Sequence, residues 1–93
     1  LWNIFLEILG ILNHLVKDDE LNNKTFEVAK KIASNAPIAV SMTKQAIKAT
    51  RNQELGNHLE MMATYQAISQ RTSDHLEGVD ALLEKRNPKF KGL

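Results

Sequence analysis

The sequence predicts an all-α fold of four or five short helices, and two observations predict it. Apolar residues recur at three- and four-residue spacing in segment after segment, as they do on one-sided helices. Prolines and polar runs (residues 17–20, 51–53, and the Asn87-Pro88 pair) punctuate these segments at short-helix intervals. Only residues 11–16 read differently, as one short strand or extended piece.

The elements follow in order. Leu1, Ile4, Phe5, Ile8 and Leu9 form one helical stripe, and Gly10 is a natural stop because glycine takes positive φ at little cost. The branched run Ile11-Leu12-Asn13-His14-Leu15-Val16 suits the strand. After the polar break, Asp18 or Asp19 can cap a second helix from about Asp19 to Ser34. Leu21, Thr25, Val28, Ala29, Ile32 and Ala33 are its expected buried stripe, with Glu20–Lys24 and Glu27–Lys31 as ion pairs on the wet side. Pro37 cannot continue that helix but fits the first position of a third, running to about Thr50, with Ile38, Met42, Ala46 and Ile47 turned inward. A fourth helix, roughly Glu54 to Gln70, carries Leu55, Leu59, Met62, Ala63 and Gln66 on one face. A fifth begins at Thr72-Ser73-Asp74, where Asp74 and Glu77 have the spacing of a capping box. Leu76, Val79, Leu82 and Leu83 are its apolar stripe, and the tail Lys89–Leu93 looks irregular.

Composition narrows the function. Ninety-three residues make one small domain, expected over 1–93. Twelve basic and eleven acidic groups leave a net charge of +1, with no long-range pull toward nucleic acid or anionic membrane. With no cysteine there is no disulfide framework and no thiolate chemistry. The apolar first sixteen residues are interrupted by Asn3, Glu7, Asn13 and His14, so they fall short of the roughly 20 apolar residues a membrane helix needs. They also lack the basic start and cleavage site of a signal peptide. The first residue is Leu rather than Met, as expected of a fragment or a processed product.

Three stretches in register resemble the end of the enoyl-CoA hydratase/isomerase (crotonase) family. Leu9-Gly10-Ile11-Leu12-Asn13-His14-Leu15-Val16 is similar to its LGLVNxVV segment. Ala33-Ser34-Asn35-Ala36-Pro37-Ile38-Ala39-Val40, continuing through Thr43-Lys44, is similar to its APxAVxxTK turn. Thr72-Ser73-Asp74-His75-Leu76-Glu77-Gly78-Val79-Asp80-Ala81-Leu82-Leu83-Glu84-Lys85-Arg86-Asn87-Pro88-Lys89-Phe90 resembles its TxDxxEGxxAFxEKRxPxF ending. Two departures stand out. Residues 1–8 lack the Ala- and Glu-containing helix that precedes LG in the family, and Leu82 stands where Phe is usual.

The resemblance implies that residues 1–93 are the C-terminal trimerisation and cover region. The N-terminal spiral domain, which binds acyl-CoA, supplies the backbone oxyanion hole and carries the catalytic acids, is then expected to lie outside this chain. It implies self-association as a trimer or dimer of trimers, and coenzyme A as part of the parent enzyme's substrate rather than a covalently held cofactor. It places Lys85 near the CoA phosphates, in some members across a subunit boundary, with Leu82 at the same edge. A cytoplasmic location, or the mitochondrial matrix in a eukaryote, is what this family implies.

Each candidate site has a plainer reading. Lys85, Arg86, Lys89 and Lys91 form a cluster that could meet phosphate, yet cations also gather at solvated helix ends, where they complement the macrodipole. Asp74 and Glu77 resemble an acid/base pair, but at a helix start carboxylates generally satisfy free N–H groups. His14, His58 and His75 have no metal-ligand spacing, and consecutive Ser73, Asp74 and His75 cannot converge as a triad. Met42, Met61 and Met62 read as core filling. No catalytic residue and no metal ligand is therefore assigned, and the chain alone is expected to be inactive. Two other classes compete with the enzyme reading. One is a free-standing, non-catalytic helical interaction module derived from the same family. The other is a helix-turn-helix nucleic-acid binder, for which Lys44, Lys48 and Arg51 are too few cations.

Overall fold

The computed structural model describes all 93 residues as five α-helices and one 3₁₀ turn, with no strand. The helices are α1 (Trp2–Ile8), α2 (Leu21–Ala33), α3 (Pro37–Ala49), α4 (Leu55–Ser69) and α5 (Ser73–Glu84); the 3₁₀ turn, Asp18–Glu20, leads into α2. The chain divides into two compact units, residues 1–30 and 31–93. No helix is long and apolar enough to cross a membrane.

In the first unit, α1 stops where glycine permits it. Gly10 sits at φ +73°, its N–H donates to Glu7 O at 3.0 Å, and the Ile11 N–H donates to Leu6 O at 2.9 Å. Those two bonds are the Schellman stop. They also remove the expected strand at 11–16. The Leu12 N–H turns back to Leu6 O at 3.2 Å, and the Leu15 N–H is taken by Glu7 Oε1 at 3.1 Å. A strand needs its donors for a neighbouring strand, and here α1 has claimed them. Apart from half-buried Leu6, the large apolar α1 side chains are exposed: Trp2 at 79%, Ile8 at 76%, Ile4 and Phe5 near half. The Trp2 and Phe5 rings meet edge to face, centroids 6.3 Å apart.

Asp18 and Asp19 lie within the 3₁₀ turn, whose N-cap is Lys17 with no side-chain bond, so neither caps α2 as expected. Lys24 pairs with Glu27 at 3.0 Å, three residues on, rather than with Glu20. The predicted buried stripe of α2 is not buried; Leu21 is 55% and Ile32 51% exposed. Periodicity marks the face a helix offers, not whether anything covers it.

The second unit begins in the last turn of α2, at Lys31. Asn35 Nδ2 donates to the Lys31 and Ile32 carbonyls at 2.9 and 3.1 Å, satisfying acceptors that a helix end leaves free. Pro37 then opens α3 at its first position. Helix α3 packs on α4, where Ala46 is buried, the Tyr65 hydroxyl donates to Gln45 Oε1 at 3.0 Å, and Ser69 Oγ approaches Met42 Sδ at 3.5 Å. The groove between them, lined by Met42, Leu59, Met62 and Ala63, stays open at about 410 Å³. Met62 is thus a groove wall rather than core filling, and Ile47, expected inward, is 66% exposed. The buried apolar residues are two alanines, Ala46 and Ala81.

Candidate functional site: the end of the fifth helix and its strap

Helix α5 starts from Thr72, whose Oγ1 accepts the His75 N–H at 3.1 Å while donating to Ser69 O at 2.7 Å. The capping box expected of Asp74 and Glu77 is therefore not formed; Thr72 has taken the N-cap role. Both carboxylates do satisfy free N–H groups, but in a different segment. Beyond Asn87-Pro88 the chain returns along α5, and Asp74, only 2% exposed, accepts the Lys91 and Gly92 N–H groups at 2.7 Å each. Glu77 accepts the Lys89 N–H at 2.7 Å. Asp74 N–H and Ser73 Oγ both donate to Leu93 O, at 3.1 and 2.9 Å. Residues 89–93 are irregular in dihedrals, as predicted, yet bound as a strap. Gly92 turns at φ +77° against the Pro37 ring, 3.7 Å from where a Cβ would stand. The Phe90 ring covers Gly78, 3.6 Å from the same point there.

Arg86 closes the arrangement. Its Nη1 and Nη2 reach the two oxygens of Glu77 at 2.6 and 2.9 Å, and its Nε donates to Glu84. A planar guanidinium can hold two carboxylates at once in this way. The Arg86 hydrogen bond, helped by the Lys89 N–H, pushes the Glu77 carboxyl from its ordinary 4.5 down to about 2, and Glu77 in turn raises Arg86 further above its usual range.

Between Glu84 and Arg86, Lys85 sits left-handed at φ 55°, ψ 40°. Its N–H donates to Leu82 O at 3.3 Å, and the Arg86 N–H donates to Ala81 O at 3.0 Å. The Lys85 side chain is exposed, and its ammonium makes no hydrogen bond or ion pair. Leu82, three residues earlier, is 78% exposed. Both residues singled out for the coenzyme edge thus lie free at one helix end. Of the four-cation cluster, Arg86 is committed to internal bonds.

The rejected constellations do not assemble. Ser73 Oγ is spent on Leu93 O and the Asp74 carboxylate on the strap, while His58 Nδ1 faces Gln53 Oε1 at 3.2 Å. No three His, Asp or Glu side chains gather as metal ligands would. The strap itself is not foreseen by sequence reasoning. Its nearest signal is an acid-bearing helix start followed, after a Pro break, by a short Phe-containing tail.

Comparison with known proteins agrees with this architecture. The model of the family described as enoyl-CoA hydratase/isomerase matches residues 6–93. The chain is 31% identical to 1,2-epoxyphenylacetyl-CoA isomerase of Escherichia coli over 83 residues, 89% of this chain and 32% of that enzyme. It is 33% identical to methylmalonyl-CoA decarboxylase of the same organism, over 90% of this chain and 33% of that enzyme. The crystal structure of an enoyl-CoA hydratase from Bacillus anthracis superposes with TM-score 0.86 at 38% identity, covering 95% of this chain and 34% of that one. The chain spans about a third of the length of the curated relatives it matches.

Proposed function

This chain belongs to the enoyl-CoA hydratase/isomerase family, and we propose that it is the C-terminal helical part of an enzyme acting on a coenzyme A thioester. Its contribution is oligomer assembly and the edge of the coenzyme site; the catalytic spiral domain lies in the rest of the complete protein. One observation carries this reading: the relatives differ in chemistry but not in coenzyme. By name they are an isomerase, a decarboxylase and a hydratase. Their bond changes are unlike, yet each name carries a CoA compound. A region alike across such different reactions suits the part of the substrate they hold in common.

Within it, Lys85 meets a CoA phosphate and Leu82 offers an apolar edge beside it. A charge-assisted bond of this kind contributes on the order of 1–3 kcal/mol. Lys85→Ala in the complete enzyme should therefore weaken CoA binding roughly five- to a hundred-fold, mainly in KM because the contact is remote from the reacting carbonyl. Added salt should shrink the wild-type advantage. Lys91→Ala, whose backbone bond to Asp74 survives the change, is the control. If titration gives both variants the same affinity, Lys85 is a solvated helix-end cation and this reading fails.

Assembly rests on the apolar side chains left bare, Trp2, Ile4, Phe5 and Ile8 on α1 and Leu76 and Leu83 on α5. Large exposed apolar surface generally marks an interface. Light scattering on dilute protein should find self-association; a clean monomer at every concentration counts against it. The chain by itself should not hydrate crotonyl-CoA above a blank, as loss of the enoyl absorbance would report.

A further inference from the structure

The three charged residues at the end of α5 have divided the available partners unevenly. Two carboxylates are engaged at this helix end, Glu77 and Glu84, seven residues and so two turns apart on one face. Both are bonded to Arg86. Lys85, between Glu84 and Arg86 in sequence, is bonded to neither. We propose that Arg86 is a positioning residue: by occupying Glu77 and Glu84 together, it keeps the Lys85 ammonium free for a phosphate oxygen of coenzyme A. This rests on the Lys85 reading above and deepens it.

The physical argument is competition. A lysine that spends part of its time on a neighbouring carboxylate binds phosphate with an affinity reduced by the fraction of time it is free. Glu84 is adjacent in sequence, and a flexible four-carbon stem on an exposed helix end can fold back onto it. Arg86 prevents this by geometry. Its fork satisfies both oxygens of Glu77 through Nη1 and Nη2 and leaves Nε for Glu84. A lysine at 86, with a single nitrogen, could not hold both acids in that fixed arrangement. The Glu77 side is secured a second time by the Lys89 N–H at 2.7 Å, so the strap helps hold the carboxylate that holds Arg86. The left-handed turn at Lys85 then separates its side chain from the run of the helix, with the backbone pinned by the Arg86 N–H to Ala81 O bond at 3.0 Å.

The test is the dissociation constant of free coenzyme A for the complete enzyme and a set of variants, with melting temperature followed in parallel. Arg86→Gln releases both acids and should weaken CoA about two- to sixfold, the size expected when a surface ion pair competes for the ligand. Adding Glu84→Gln to that variant should restore most of the loss, because the competitor is gone. In a Lys85→Ala background Arg86→Gln should cost almost nothing further. The outcomes separate the two readings. If Lys85→Ala alone leaves CoA affinity intact, the phosphate contact is wrong and this inference falls with it. If Lys85→Ala weakens binding but Arg86→Gln does not, Lys85 stands and Arg86 as its positioning residue is overturned. Arg86 is overturned in the same way if the Arg86→Gln loss persists without Lys85, or is not restored by Glu84→Gln, since a purely structural or direct role for Arg86 predicts that. Should Arg86→Gln fail to fold, Arg86→Lys releases one acid and should give a smaller loss, again restored by Glu84→Gln; no loss, or no restoration, overturns the inference equally.

Discussion

Two helices in this chain end with the same pair of backbone bonds, and the residue at the turn differs. At α1 the left-handed residue is Gly10, bonded to the carbonyl three residues back, with Ile11 bonded five back. At α5 it is Lys85, and Lys85 and Arg86 repeat those two bonds. A side chain in this conformation costs roughly 1–2 kcal/mol that glycine avoids. Where only the backbone matters the sequence uses glycine; at α5 it accepts that cost and keeps a lysine. The surroundings differ in step. The α1 stop is local, and its side chains stay bare, whereas the α5 end is braced by a strap bonded to Asp74, Glu77 and Ser73.

The largest effect should come from removing that brace. Asp74→Ala strips two backbone donors of a buried acceptor and should cost about 3 kcal/mol or more. Denaturant titration reads it, and faster amide exchange at Lys91 and Gly92 would locate it. Loss at those amides without loss of stability would show the strap to be decorative. Next, Gly10→Ala should destabilise α1 by about 1–2 kcal/mol through the positive φ alone; no change in the melting curve would mean that the α1 stop shifts freely. Smaller and opposite in sign, Gly78→Ala should stabilise the chain by up to about 1 kcal/mol, since a Cβ there meets Phe90 at ordinary contact distance and helix propensity improves. If the same change instead harms the complete enzyme, Gly78 answers to something beyond this chain.

The smallest effect is one of shape with pH. The Glu77 carboxyl is held at about 2, below its ordinary 4.5. A depressed carboxyl stabilises the fold fully above its unfolded value and loses that contribution as pH falls toward the folded one. Stability should thus begin to decline below about pH 4.5 and go on falling to about pH 2, with Glu77→Gln flattening that part of the curve. An unchanged acid limb in Glu77→Gln would show that Glu77 contributes nothing to it.

Much of this is legible in the sequence. Helices α3 and α4 fall within a residue of their predicted bounds because Pro37 and the break at 51–53 are strong punctuation, and Gly10 is readable for the same reason. Lys85 is legible as a candidate only through family resemblance; nothing about a lysine announces a positive φ. The strap is hidden because its acids precede its donors by 12 to 18 residues, far outside helical periodicity. Burial is overstated for α2 and for Ile47, though Ala46 is buried as expected. The stripes at Leu21, Ile32 and Ile47 are exposed, and periodicity carries no information about whether anything covers them.

Lys85→Gly bears hardest on the role of this lysine, because at this position glycine separates the backbone from the side chain. Measured in the complete enzyme, its CoA dissociation constant should rise roughly five- to a hundred-fold, while the melting temperature holds or climbs as the left-handed turn is relieved. A variant that is more stable and binds CoA as tightly as the wild type would contradict a phosphate-binding role, leaving Lys85 as a helix end that glycine would serve better.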